Sequence, residues 1–376
     1  MISWRDGVVR AVRGTWAGAV ELDVDLDRPA GDRTAVRALA YPALVGEPRP
    51  GDRVTLTVSA LVRGLGTGGY AMVVALPDRL PADPPAGPGH VVKARYTPLQ
   101  PMVLGVDEQE SPWHAQLRDA DDVDGLVVVA ADLHSALPAV LAGLRARAAE
   151  AGGPAPRVAY VMTDGGALPL AFSRSVSALR EAGWLTATIT AGQAFGGDLE
   201  SVGVHTALLA ARIVLGADVA VVTQGPGNLG TGTRWGFSGV AAGEALNAAA
   251  VLGGRPVAAL RVSQADPRVR HRGVSHHSLT AYGRVALRPA DVVVPDLPGE
   301  FWQGVRDQAR TLCEPAGVHR LVRVPVTGLR AALEDVPVRL STMGRGLDED
   351  EAAFLASAAA GAHAAALALD AAPPAG

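Results

Sequence analysis

Three histidines, His271, His276 and His277, fall within the seven residues HRGVSHH. An imidazole titrates near neutrality and also ligates zinc, manganese or iron, so such a group suits proton transfer or metal binding. Other segments supply partners: Asp132 and His134 in ADLHS, Asp164 in TDGGALP and Asp198 in TAGQAFGGD. We take Asp132, His134, Asp164, His271 and His276 as candidate ligands of a divalent metal, and Asp164, His276 and His277 as candidate acid/base groups. No H-E-x-x-H spacing is present, so a phosphate-contacting histidine or a plain loop hydrogen bond stays an open alternative. Adjacent His276 and His277 are expected to face different sides if their segment is extended.

A second chemistry lies in GPGNLGTGTRWGFSG, Gly225 to Gly239. Gly225, Gly227 and Gly230 match G-x-G-x-x-G after an apolar run, but no acid follows about 20 residues on, and the absence of lysine rules out a Walker A loop. What remains is the physics shared by both. Glycines allow positive φ and close approach, so N–H groups around Gly225, Gly227, Asn228, Gly230 and Gly232 can cradle an anion, helped by the hydroxyls of Thr231, Thr233 and Ser238. The alternative is a tight structural crossover. WGFSG departs from the nucleophile-elbow spacing, so Ser238 reads as a helix N-cap. Cys313, the one cysteine, has no motif around it, and His205 sits in an apolar helical run as a core histidine would.

These residues need a scaffold. The 376-residue chain is 48% apolar with a net charge of −4 and 4% aromatics, which argues against a broad nucleic-acid surface. Of its 34 Lys plus Arg, only Lys93 is lysine, a bias that weakens any single arginine as evidence for a role and confines lysine chemistry to one position. A single cysteine excludes internal disulfides and, with no apolar leader, fits a cytoplasmic protein.

Residues 1–76 alternate apolar and polar in five short runs, the pattern of a small β-barrel or sandwich. Residues 77–90, PDRLPADPPAGPGH, form a Pro-rich linker. From 91 to 345, buried-type strands such as GLVVVA, RVAYVM, DVAVVT and PVAALRV alternate with helical runs, which predicts a doubly wound α/β domain with a mainly parallel sheet. Residues 346–376 form an Ala-rich C-terminal helix and tail; its acidic start and His363 suit packing rather than a membrane span. In such a sheet every strand-to-helix loop leaves from the carboxyl edge, and the Gly, His and Asp residues collect in those loops.

The segments GPGNLGTGTRWGFSG and HRGVSHHSLTAYGRV, with GQAFGGDLES and the β-rich start, resemble a bacterial family known only as a domain of unknown function, over nearly the whole chain. The resemblance implies no activity. From the loops we expect binding, and turnover by a hydrolase or transferase, of a small phosphate-bearing or nucleotide-like anion. The rivals are a non-catalytic sensor using the same cleft and a nucleic-acid-associated protein acting through the barrel. A homo-oligomer is compatible with the sequence.

Overall fold

The computed structural model describes residues 1–314 and 317–371. It comprises two compact units. The first holds residues 1–103 together with 171–177. Its strands β1 (Trp4–Trp16), β2 (Ala19–Ala30), β3 (Arg33–Ala40), β4 (Arg53–Thr57) and β5 (Ala71–Ala75) close a barrel in the order β1-β2-β3-β5-β4. β3 runs parallel to β5 and the other pairs are antiparallel. Alternation of side chains puts Val20, Leu22, Val24, Ala38, Val54, Leu56 and Val73 inside. Register shifts between Val9 and Ala11 and between Val12 and Gly14 curl the long first hairpin. Residues 77–90 carry no helix or strand, and a two-residue pair, β6 (Val91–Val92) with β7 (Met102–Val103), follows. Residues 171–177 are held to the barrel by Trp16 Nε1, which donates to the Ala171 carbonyl at 2.6 Å, and by Arg174, stacked 4.2 Å over Trp16 and paired with Glu21.

The second unit carries an eight-stranded parallel sheet: β8 (Val127–Ala131), β9 (Val158–Thr163), β10 (Ala187–Ala191), β11 (Leu199–Ser201), β12 (Val219–Gln224), β13 (Arg255–Ala259), β16 (Asp291–Pro295) and β17 (Arg320–Val324). Between β13 and β16 lies a small antiparallel pair, β14 (Val262–Ser263) with β15 (Gly273–Val274). β8, β10 and β12 are buried along their whole length, as strands covered on both faces must be. The order is β11-β10-β9-β12-β8-β13-β16-β17. The chain leaves β8 toward β9 and leaves β13 toward β16, in opposite directions, so a crevice opens between the carboxyl ends of these two neighbours.

Helix Glu351–Ala371 packs on helix Leu137–Glu150 and against β8, β13 and β16. It is long and apolar enough to cross a membrane, yet 67% of its most apolar window is buried within the protein, so its apolar surface goes into packing. Its His363 Nε2 meets Asp291 Oδ2 at 2.7 Å, and Arg320 Nε holds Asp291 Oδ1 at 2.7 Å. Burial alone would raise the Asp291 pKa; the bonds from His363 and Arg320 outweigh it and bring the carboxyl down to about 2. A depressed folded value means that this contribution is present above the ordinary 3.8 and is lost as pH falls toward 2. His363→Ala is expected to cost about 2 kcal/mol at pH 7, with the gap to wild type narrowing in that acid window, as urea melts at several pH values will read.

Candidate functional site

β8 ends on Ala131, so Asp132 is the first residue past the carboxyl edge, and it is buried. One strand over, β13 ends at Ala259 and the chain reaches Arg261, whose side chain is only 8% exposed. The β14–β15 pair then folds residues 264–272 back over this edge, and Ser275 caps the helix His276–Thr280 by accepting the His277 N–H. That cap decides the histidine geometry. His276 and His277 lie in a helical turn rather than an extended segment, so both turn toward His271 instead of facing opposite sides. Their ring centroids are 4.9 Å (His271 to His276), 5.0 Å (His271 to His277) and 4.4 Å (His276 to His277) apart, and one ring nitrogen from each lies within 4.8 Å of the others. Phe237, at the end of the glycine loop, stacks on His277 with ring centroids 3.9 Å apart.

His277 Nδ1 lies 3.4 Å from Asp132 Oδ2 and 3.2 Å from Arg261 Nη1. His271 Nδ1 meets Ser275 Oγ at 2.7 Å. Among the described residues, two buried polar atoms here have no hydrogen-bond partner: Asp132 Oδ2 and His276 Nε2. Burial, with Arg261 and His277 adding like charge, pushes His271 down to about 3; burial, with His277 and Arg270, pushes His276 down to about 4. Both imidazoles are therefore neutral at pH 7, the form that ligates a metal or accepts a proton.

Around them lies a charge network. Asp266, fully buried, receives Arg268 at 2.9 and 2.8 Å, Arg345 Nη2 at 3.3 Å and Arg261 Nη2 at 3.9 Å. The Arg268 hydrogen bonds hold its carboxyl far below the usual carboxylate range. Arg345 Nε also meets Asp350 Oδ2 at 2.9 Å, and Ser263 donates to that oxygen at 2.6 Å. Asp132, Ser135, Arg261, Ser263, Thr342 and Arg345 line the narrow crevice between β8 and β13.

The other expected residues lie elsewhere. His134 Nδ1 bonds the Tyr160 hydroxyl at 2.8 Å, which in turn meets Thr223 Oγ1 at 2.9 Å, and burial brings this histidine down to about 4. Asp164 is exposed beyond β9, two strands from β8 because β12 lies between, a gap of roughly 10 Å. Its Oδ2 accepts the Gln193 N–H at 2.7 Å. Asp198 ties Thr188 and Arg180, and His205 is exposed on the first turn of helix Val204–Leu209 rather than in the core.

In the glycine loop, Gly230 bridges Phe237, and Thr231 N–H reaches the Gly236 carbonyl at 2.7 Å. Gly225 N–H bonds the Thr163 carbonyl, and Asn228 Oδ1 accepts from Gln224 Nε2, Ser238 Oγ and Gly239 N–H. Ser238 is thus no N-cap: its hydroxyl also accepts the Leu229 N–H and staples the loop base, while Asn228 serves the helix start. A side chain at Gly225 would collide with the backbone of Ala167, so this glycine serves the crossover of two loops. Gly227 sits at φ 95° and Gly232 at φ 80°, conformations that favour glycine. The Thr231 and Thr233 hydroxyls bond one another at 3.1 Å.

Sequence reasoning missed Arg261, Asp266 and Arg345. All three were visible, but an arginine in a chain almost without lysine carries little weight until its burial is known. A family model described as "Protein of unknown function (DUF3866)" matches residues 37–361. No curated protein and no solved structure matches the chain.

Proposed function

The chain belongs to the DUF3866 family, whose description assigns no activity, and from its own residues we propose that it binds and turns over a small anionic metabolite, phosphate-bearing or nucleotide-like, at the carboxyl edge of the sheet. The observation that carries this reading is Arg261. Its side chain is buried and faces the crevice, yet among the described residues its nearest carboxylate oxygen, on Asp266, is 3.9 Å away. A buried guanidinium with so loose a partner favours an anionic ligand that completes it. Ser135, Ser263 and Thr342 supply hydroxyls on the same wall. His277 lies beside both Asp132 and Arg261, so the histidine cluster adjoins the anion position. The glycine loop contributes Phe237 against His277; the N–H groups of Gly225, Leu229, Thr231, Gly236, Phe237, Ser238 and Gly239 are bonded within the loop or to its neighbours, so any anion cradle there rests on those of Gly227, Asn228, Gly230 and Gly232.

The test is a thermal-shift screen of inorganic phosphate, sugar phosphates and nucleotides on wild type and Arg261→Met. At about 100 Kd a true ligand stabilises wild type by about 2.7 kcal/mol, and the variant should lose that gain while staying folded. An undiminished shift in the folded variant removes Arg261 from the site. Stabilisation with no turnover on a phosphoester panel leaves the sensor reading in place of the enzyme. The barrel does not favour the nucleic-acid rival: the outer side of β2 carries Asp23, Asp25 and Asp27, with Arg10 and Arg13 already paired to the first two.

A further inference from the structure

We propose that His271, His276 and His277 form the protein ligands of a single divalent transition-metal ion, with Asp132 and Ser275 orienting two of the imidazoles from behind. Three histidines with a fourth position left open are the ligand set of catalytic zinc, and imidazole also suits iron(II), cobalt and nickel. One ring nitrogen from each residue lies within 4.8 Å of the others, a spacing that small rotations about χ angles close onto a common ion.

The surroundings support the assignment beyond the cluster itself. A metal-bound histidine offers one nitrogen to the ion and donates its other ring N–H to a carboxylate, hydroxyl or carbonyl. His271 Nδ1 already lies 2.7 Å from Ser275 Oγ, which leaves Nε2 as its ligand atom. His277 Nδ1 lies between two competing neighbours, Arg261 Nη1 at 3.2 Å and Asp132 Oδ2 at 3.4 Å. If Nδ1 accepts from Arg261, the proton sits on Nε2 and that nitrogen cannot ligate. If Nδ1 carries the proton toward Asp132, Nε2 is free to ligate and the orphaned Asp132 oxygen gains its donor. His276 Nε2, the other buried atom without a partner, gains the ion. One metal thus resolves both unsatisfied atoms, and it selects the His277 tautomer. This assignment leaves out Asp164 and His134, which the fold holds against other partners.

The test needs no metabolite, so it stands or falls apart from the anion reading. The full-length chain is stripped with a chelator and titrated with Co²⁺, read by visible d–d absorption, and with Zn²⁺, read by elemental analysis after gel filtration. Wild type should take up about one equivalent, with cobalt spectra of low coordination number. The His276→Ala/His277→Ala double variant, checked as folded by circular dichroism, should take up none. Asp132→Asn and Ser275→Ala should each weaken the affinity by about 10–100-fold, and His134→Ala and Asp164→Asn should leave it unchanged. A folded wild type that binds neither ion, or a double variant that still binds one, overturns the site. Unchanged affinity in both Asp132→Asn and Ser275→Ala overturns the supporting roles given to them.

Discussion

Alanine at Gly143 or at Gly361 is expected to destabilise the protein by about 3 kcal/mol or more, the upper part of the range for overpacking a close-packed interior. The two glycines mark where helices Leu137–Glu150 and Glu351–Ala371 cross. A Cβ at Gly143 would lie 2.6 Å from the Ala358 carbonyl carbon, and one at Gly361 would lie 2.8 Å from that of Val140. Both obstacles are backbone, which cannot rotate aside, so the helices must separate along their whole contact and lose their packing. Gly304, in helix Glu300–Cys313, is the internal control: an added Cβ there meets no atom within 4 Å. Gly304→Ala should stabilise by about 0.5–1 kcal/mol through helix propensity. Urea melts of the three variants give the answer, and a loss at Gly143 and Gly361 no larger than about 1 kcal/mol would show that the crossing can relax. The consequence reaches the site. Helix Glu351–Ala371 supplies the floor of the crevice through Phe354 and Ser357, so the crossing that fixes this helix also fixes that wall.

Asp266→Asn is the second large change. The carboxylate is fully buried and shared among Arg268, Arg345 and, more distantly, Arg261. The substitution keeps the size and removes the charge that Arg268, itself 37% exposed, and Arg345, which retains Asp350, share with the more distant, buried Arg261. Breaking a buried ion pair from one side costs about 3–5 kcal/mol. The pH dependence has a definite sign. Because the folded carboxyl is held far below its ordinary 3.8, its contribution is complete above that value and is lost only in strong acid. The gap between variant and wild type should therefore be flat from about pH 5 to pH 9. A second variant separates charge from packing: Asp266→Leu combined with Arg268→Met should recover part of the loss, since apolar groups of similar volume replace a buried pair at little cost. A single variant as stable as wild type would mean that water already satisfies these arginines.

Much of the scaffold could be read directly from residue order. The five runs of residues 1–76 are the five barrel strands, and GLVVVA, RVAYVM, WLTATIT, DVAVVT, PVAALRV and DVVV are six of the eight sheet strands. Period-two alternation and continuous apolar runs are local properties of a strand, so they survive without knowledge of its neighbours. β11, three residues long, and β17, with four of its five residues polar or partly exposed, carried too weak a pattern. The collection of Gly, His and Asp on one edge was also legible, because a parallel sheet sends every strand-to-helix loop to the same side.

What residue order left open is which of those loops meet. Asp132 and Asp164 follow two strands adjacent in sequence, but β12 inserts between β8 and β9, and this alone separates Asp164 from the histidines. Strand order depends on the sum of many weak long-range contacts, and no short segment encodes it. The convergence of His271, His276 and His277 depended on one hydroxyl, because Ser275 capping the next helix turns an extended segment into a helical one. Arg261 and Asp266 acquired their meaning only through burial. A guanidinium or a carboxylate is ordinary in water, and it becomes a binding or structural group when the fold removes that water and decides which charges remain beside it.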